Sequence, residues 1–287
     1  MLAVFKHELA SYFRSLTAYI FGAFLLVLIG IGALMYNIQA AVANFEYVLA
    51  FVCLGFVVLV PILTMRVIAE ERKQKTDQLL YSLPITTTDI VVGKFGALLA
   101  VYLIPIVIIC LYPAIFARYG EVYLLTSYGS IFAFFMLGAA LLSMGMFISS
   151  LTENQGFAAG IGVAVVLFDY YSVSLAENIS STALGSAVVL CAVVILLGLV
   201  MSFVTKNDTF SYSISLGVLA IICAAFFINS SMFEGLVPKL MSKLSLFEHF
   251  YVFVDGVFDM SGIVYFVSVI VLFLFLTVQS LEKRRYN

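Results

Sequence analysis

An all-α polytopic membrane protein is the fold class this sequence predicts, and three observations carry it. The 287-residue chain is 64% hydrophobic and only 10% charged, with a mean hydropathy of +1.16. A soluble domain carries roughly 25% charged residues, so the surface of this chain cannot be a water-facing one. The apolar residues fall in long runs, and a membrane-crossing helix needs about 20 of them. Charge is concentrated instead. Residues 66–94, RVIAEERKQKTDQLLYSLPITTTDIVVGK, hold five of the 14 Lys and Arg and four of the 16 Asp and Glu.

The chain opens on residues 1–16, MLAVFKHELASYFRSL. The run that follows is full length and has no small-residue cleavage site, unlike a signal peptide. Leu2, Phe5, Leu9, Tyr12 or Phe13, and Leu16 recur at helical spacing, with Lys6, Glu8 and Arg14 mostly elsewhere on the wheel. That pattern predicts an amphipathic helix lying in the membrane interface, or else an extension of the first span.

Spans are expected at 17–36, 47–67, 95–117, 128–150, 156–175, 186–205, 211–229 and 261–281. The fifth and sixth can alternatively form a re-entrant or broken hairpin, so the expected range is six to eight spans. Either count is even and puts both termini on one side. With that side cytoplasmic, the inner segments hold eleven Lys and Arg, and the outer ones hold only Arg118, Lys239 and Lys243. The positive-inside bias therefore places residues 66–94 and the terminal EKRR in the cytoplasm. Residues 230–260 form the longest outer loop. Leu236, Leu240, Leu244, Phe247 and Tyr251 predict one amphipathic helix within it. No fixed-period repeat and no soluble domain interrupts the chain, so 1–287 reads as a single transmembrane domain.

Within the charged stretch, residues 66–83 are expected to continue the second span as a helix. Glu71 with Lys75, and Lys73 with Asp77, stand at i,i+4, pairs that contribute about 0.2–0.5 kcal/mol each. Pro84 stops that helix, because the residue before a proline is pushed out of the αR region. A second helix starts near Thr86, where Thr86 and Asp89 fit a capping pattern. It runs through Gly93 and Lys94 into the third span, with Lys94 snorkelling to the inner headgroups. The tip carries Leu79, Leu80, Tyr81, Leu83 and Ile85. Apolar residues on a charged, solvent-facing tip either suit a partner's groove or fold back on the membrane.

Glu70, Glu71 and Arg72, then Thr76, Leu79 and Leu80, Pro84, Asp89, and Gly93 with Lys94 resemble the E-E-[KR]…T…LL…P…[DE]…GK pattern of type-2 ABC exporter permeases. The likeness is greatest to the branch associated with gliding motility and copper-enzyme maturation. It extends more weakly over the rest of the chain. The resemblance implies that residues 66–94 are a coupling region inserted into a separate ATP-binding subunit. By it, Glu70, Glu71, Arg72, Thr76, Leu79, Leu80 and Pro84 are ATPase-coupling residues. It also implies a second permease copy, in a homo- or heterodimer, in the cytoplasmic membrane of a bacterium. ATP hydrolysis would then belong to the partner, with no cofactor on this chain. The GKF at 93–95 supports that division, since it lacks the preceding glycine and the following Ser or Thr of a phosphate-cradling loop.

Asp169, in VLFDYYSV, either lines a translocation path or marks the outer boundary beside Tyr170 and Tyr171. A carboxylate at the bilayer centre costs roughly 2.5–3.5 kcal/mol, and less near an interface. Gly156 and Gly160 permit close helix packing, within the chain or against a second copy. Asp255 and Asp259 share a helical face, but no nucleophile and base accompany them. Cys53, Cys110, Cys191 and Cys223 are dispersed in apolar runs and form no metal-binding or redox motif. Nothing in the sequence points to nucleic acid. The expected function is a permease subunit of an ATP-driven exporter. The alternatives are a non-transporting anchor that couples an ATPase to extracytoplasmic factors, and an ion-coupled secondary transporter. Intramembrane ionisable residues and inverted repeats mark the last class, and Asp169 alone is present.

Overall fold

A computed structural model describes residues 1–76, 85–178, 182–205 and 208–285, and among these residues every regular element is a helix. Besides a π-helix at Ala33–Gln39 and a 3-10 turn at Ser230–Phe233, they are α1 (Leu2–Arg14), α2 (Thr17–Gly32), α3 (Glu46–Cys53), α4 (Phe56–Thr64), α5 (Ala69–Gln74), α6 (Thr87–Ile109) and α7 (Leu111–Phe116). After these come α8 (Leu124–Leu151), α9 (Gln155–Asn178), α10 (Ala183–Thr205), α11 (Asp208–Ile228), α12 (Leu236–Leu244), α13 (Leu246–Val254) and α14 (Met260–Arg285).

Among the described residues, five helices are long and apolar enough to cross a membrane: Thr17–Gln39, Thr87–Phe116, Leu124–Leu151, Gln155–Leu175 and Met260–Arg284. The number rises to seven if two bent pairs each count as one span. The expected span at 47–67 is one of these, with its two arms, Glu46–Cys53 and Phe56–Gln74, meeting at 62°. At the break the hydrogen bonds tighten, Gly55 donating to Val52 and Val57 to Leu54. A Cβ on Gly55 would stand 2.5 Å from Leu28 Cδ1 and 2.9 Å from the Val52 carbonyl oxygen, so glycine lets α2 lie against the corner with its Leu28 side chain unmoved. The other bent pair turns by 118° between Ser215–Ile228 and Ser230–Leu244. Ala183–Ile195 is a shorter apolar helix among the described residues. The single amphipathic helix expected over 236–251 is instead two, because Ser245 adopts an extended conformation and separates α12 from α13.

The chain forms two compact units, residues 1–168 with 249–287, and residues 169–248. In the first, α8 is the central helix, packed on α3, α4, α6 and α14. Its 28 residues span about 42 Å at 1.5 Å each. Glycines let its neighbours come close. A Cβ on Gly138 would lie 2.4 Å from the Tyr102 hydroxyl, and one on Gly145 would lie 2.4 Å from Thr64 Oγ1. Close backbone approach is what holds helices together in lipid, where burying apolar side chains gains little. Tyr102 donates to the Phe134 carbonyl at 2.8 Å, so its buried hydroxyl is satisfied within an aromatic group with Phe21, Phe56 and Phe135. In the second unit α10 packs on α11 and α12.

Candidate functional site

The charged stretch sits at one end of the first unit, and the structure corrects its expected course. The helix predicted over 66–83 is not continuous. The chain leaves α4 after Thr64, turns through residues 65–68 and re-enters helix as α5 for only six residues. Lys75, in the left-handed region at φ 57°, ends α5. The Thr76 amide and hydroxyl then both donate to the Glu71 carbonyl, at 3.0 and 3.3 Å. Ser149 of α8 repairs the break. Its hydroxyl oxygen accepts from the amides of Ile68 and Ala69 at 3.2 and 3.1 Å, and its proton goes to the Met65 carbonyl at 3.3 Å. The amides of Ile68 and Ala69, which the bend takes out of the helical ladder, thus find an acceptor in Ser149.

Several described side chains of the stretch turn inward. Arg66 grips both oxygens of Glu70, at 2.7 and 3.0 Å, and reaches Thr17 Oγ1 at 3.0 Å. Arg72 is 4% exposed. Glu71 does not pair with Lys75, which has left the helix; it pairs with Lys94 at 2.7 Å. Lys94 in turn does not snorkel. It is 1% exposed, and its ammonium donates to Glu8 at 2.5 Å, to Glu71, and to the Val67 carbonyl at 3.0 Å. An ammonium has three donors, and all three are used.

Gly93 and Gly96 explain how α1 comes near enough to supply Glu8. A Cβ on Gly93 would stand 3.1 Å from Val4, and one on Gly96 would stand 3.3 Å from Phe5. Tyr12 adds a second tie, donating to the Leu63 carbonyl at 3.3 Å. Burial holds its phenol well above the ordinary pKa, so it is a neutral donor.

The other prediction for this stretch holds. Thr86 is the N-cap of α6 and accepts from the Asp89 amide at 3.1 Å, while its hydroxyl donates to the Asp89 carboxylate at 2.7 Å. The same end is closed by the C-terminal helix: Thr87 donates to Glu282 at 2.9 Å, Ser280 to the Ser150 carbonyl, and Arg284 pairs with Glu153 at 2.7 Å.

Of the expected coupling residues, Glu71 therefore fastens the segment to Lys94, Glu70 holds Arg66, Arg72 is buried, and Thr76 closes the last turn. Lys73, Gln74 and Lys75 are the ones that face outward. Leu79, Leu80, Pro84 and Asp77 lie outside the described residues. The sequence reading missed Glu8 and Ser149 as partners of this segment, since neither carries a local signal.

Asp169 stands in the second unit, where its Oδ1 accepts from the Leu246 amide at 3.3 Å, the first amide of α13. Its carbonyl accepts from Ser172 and Ser245, and Tyr170 meets Phe247 edge-on at 5.1 Å. The carboxylate thus caps the helix that begins where α12 breaks off. Its Oδ2 is buried without a partner among the described residues. Among the described residues nothing lies within 4 Å of a Cβ on Gly160, and one on Gly156 would meet only Asn154 at 3.4 Å, so neither seats another described helix. Asp259 caps α14 through the amides of Ser261 and Gly262, and the Ser261 hydroxyl holds its carboxyl below the usual range. Among the described residues no group of three or more His, Cys, Asp or Glu could hold a metal ion.

Apolar helices packed through glycines, with one densely cross-linked polar end, define a multi-pass membrane protein. The profile of the ABC-2 family transporter proteins matches residues 2–183. The chain belongs to that family, and it is a permease component of an ABC transporter. Such a permease works in a membrane with an ATP-binding subunit. No curated protein sequence matches the chain.

Proposed function

We propose that this chain is the permease subunit of an ATP-driven exporter of the gliding-motility and copper-enzyme-maturation branch. It works as a pair of permease copies in a bacterial cytoplasmic membrane, with both termini on the cytoplasmic side. A separate subunit hydrolyses ATP and pushes on residues 66–94. One observation carries this reading: a short charged helix, α5, ends in outward-facing Lys73, Gln74 and Lys75 while its other face is pinned to the bundle by Arg66, Ser149 and Lys94. A push on such a segment moves helices rather than deforming a loop.

In this reading Glu70, Glu71, Arg72 and Thr76 position the segment, and Leu79, Leu80 and Pro84 supply the contact with the ATPase. Buried apolar anchors dominate affinity at such contacts, and charges orient the approach. Asp169, with one oxygen unpartnered, is the carboxylate a translocated polar group would meet. Single-cysteine labelling tests the arrangement. Lys75→Cys and Arg284→Cys should react with an impermeant maleimide only in opened cells, and Lys243→Cys in intact ones. Reaction of Lys75→Cys from outside would remove the coupling assignment, because no ATP-binding subunit works there. ATP-dependent efflux from vesicles carrying the complex separates an exporter from an anchor that only recruits the ATPase.

A further inference from the structure

The four cysteines are dispersed in the sequence, but the second unit brings two of them together. α10 and α11 are consecutive helices packed on each other. Cys191 stands 14 residues before Thr205, the end of α10, and Cys223 stands 15 residues after Asp208, the start of α11. Near-equal distances from the junction put both at one level of the helix pair, and there the Cys191 thiol meets the Cys223 thiol side chain to side chain. Both line one cavity of about 460 Å³, whose other described lining residues are aliphatic or aromatic, among them Leu184, Val188, Ile195, Ile222 and Phe226. The thiols are therefore the reactive groups of that cavity. Cys223 is exposed and Cys191 half-buried, whereas Cys53 is fully buried. Cys223 also lies five residues before Ile228, the last of α11, about 7.5 Å along the axis at 1.5 Å per residue. A lone cysteine in an apolar run behaves as a small apolar residue. A sulfur–sulfur bond needs β-carbons about 3.8 Å apart, which cysteines reach only where two segments touch. No sequence spacing marks this pair as a redox motif, because it is made by the packing of α10 on α11.

We infer that Cys191 and Cys223 are a reversible disulfide site that staples α10 to α11, with a disulfide-bearing oxidant of the extracytoplasmic space as its reaction partner. The compartment rests on the orientation proposed above, which puts residues 206–210 inside and the far ends of both helices outside, where disulfides persist; the pairing itself does not rest on it. The thiolate of Cys223, the more exposed of the two, attacks one sulfur of the oxidant's disulfide, forming a mixed disulfide and releasing one thiol of the oxidant. The Cys191 thiolate then attacks the Cys223 sulfur, which closes the bond within the chain and releases the second thiol. The protein loses two hydrogens and two electrons go to the oxidant, which leaves as a pair of thiols. The product is a covalent tie between two helices whose apolar packing gains little in lipid.

The test uses the full chain in its native membranes. The membranes are treated with dithiodipyridine, a permeant disulfide; the protein is then denatured, free thiols are blocked with N-ethylmaleimide, and peptides are mapped without reductant. The expected product is a peptide pair joined through Cys191 and Cys223, separated again by dithiothreitol, with Cys53 recovered as its maleimide adduct. Cys191→Ser should instead hold thiopyridine on Cys223, the mixed disulfide of the first step with nothing to resolve it. Recovery of both cysteines of the parent chain as separate adducts, with no joined pair, overturns the inference. So does a joined pair that migrates as a dimer on a non-reducing gel, since the bond then bridges two chains. A joined pair within one chain, found together with a Lys243→Cys variant closed to impermeant maleimide in intact cells, upholds the pairing and overturns the orientation and the extracytoplasmic oxidant.

Discussion

Replacing Lys94 by methionine is the sharpest perturbation of the polar end. The ammonium lies 2.5 Å from Glu8 and 2.7 Å from Glu71. Without it the two carboxylates are left within about 5 Å of each other, which at an effective dielectric of about 20 is a repulsion of about 3 kcal/mol. Removing one partner from a buried ion cluster costs about 3–5 kcal/mol by general experience, so the two routes agree. For a chain of this size each kcal/mol corresponds to about 2–4 °C, and Lys94→Met should lower the melting temperature by about 10 °C.

Cys53 offers the assay, because it is fully buried and reacts with a thiol dye only on unfolding. Cys110, Cys191 and Cys223 are changed to serine for the purpose. The control is Lys94→Met combined with Glu8→Gln and Glu71→Gln, which removes all three charges of the cluster and should recover most of the loss. The reasoning fails if Lys94→Met costs less than about 1 kcal/mol, or if the combined variant is no more stable than the single one.

Other expectations follow from single contacts. Thr86→Ala removes the cap of α6 and should cost about 1 kcal/mol in the same thermal assay, with Thr86→Ser close to wild type. Gly138→Ala places a methyl 2.4 Å from the Tyr102 hydroxyl; it should cost about 1–3 kcal/mol, measured as the loss of folded protein on heating. Asp169→Asn keeps an acceptor for the Leu246 amide and should leave stability intact, whereas Asp169→Ala should speed amide exchange at Leu246. If efflux falls in the folded Asn variant, Asp169 acts in the path as well as in the cap.

Local patterns in the sequence carried far, and contacts distant in sequence marked their limit. The helix starting at Thr86 was legible because an N-cap is a four-residue pattern, and the spans were legible because a bilayer demands runs of apolar residues. The corner at Gly55 was not, since it depends on Leu28 of another helix. Lys94 looked like a residue reaching for headgroups. Its partner Glu8 lies 86 residues away and becomes a neighbour only because Gly93 and Gly96 admit α1. The i,i+4 pairing of Glu71 with Lys75 was a fair local expectation that lost to this tertiary contact, worth several times more. The break at Ser245 was hidden by leucines and aromatics that keep helical spacing on both sides of it. Asp169, 77 residues from Leu246, could not be recognised as the cap at that break.

The most direct test of the account is ATP turnover by the reconstituted complex of this chain with its ATP-binding subunit. Leu79→Ala with Leu80→Ala removes the proposed apolar anchors while leaving the cluster around Lys94 untouched. The account predicts that this variant inserts normally, captures less ATP-binding subunit in a pull-down, and loses the stimulation of ATP turnover that the wild-type chain gives. Capture and stimulation equal to wild type would contradict it, and would place the ATPase contact on a part of the chain other than residues 66–94.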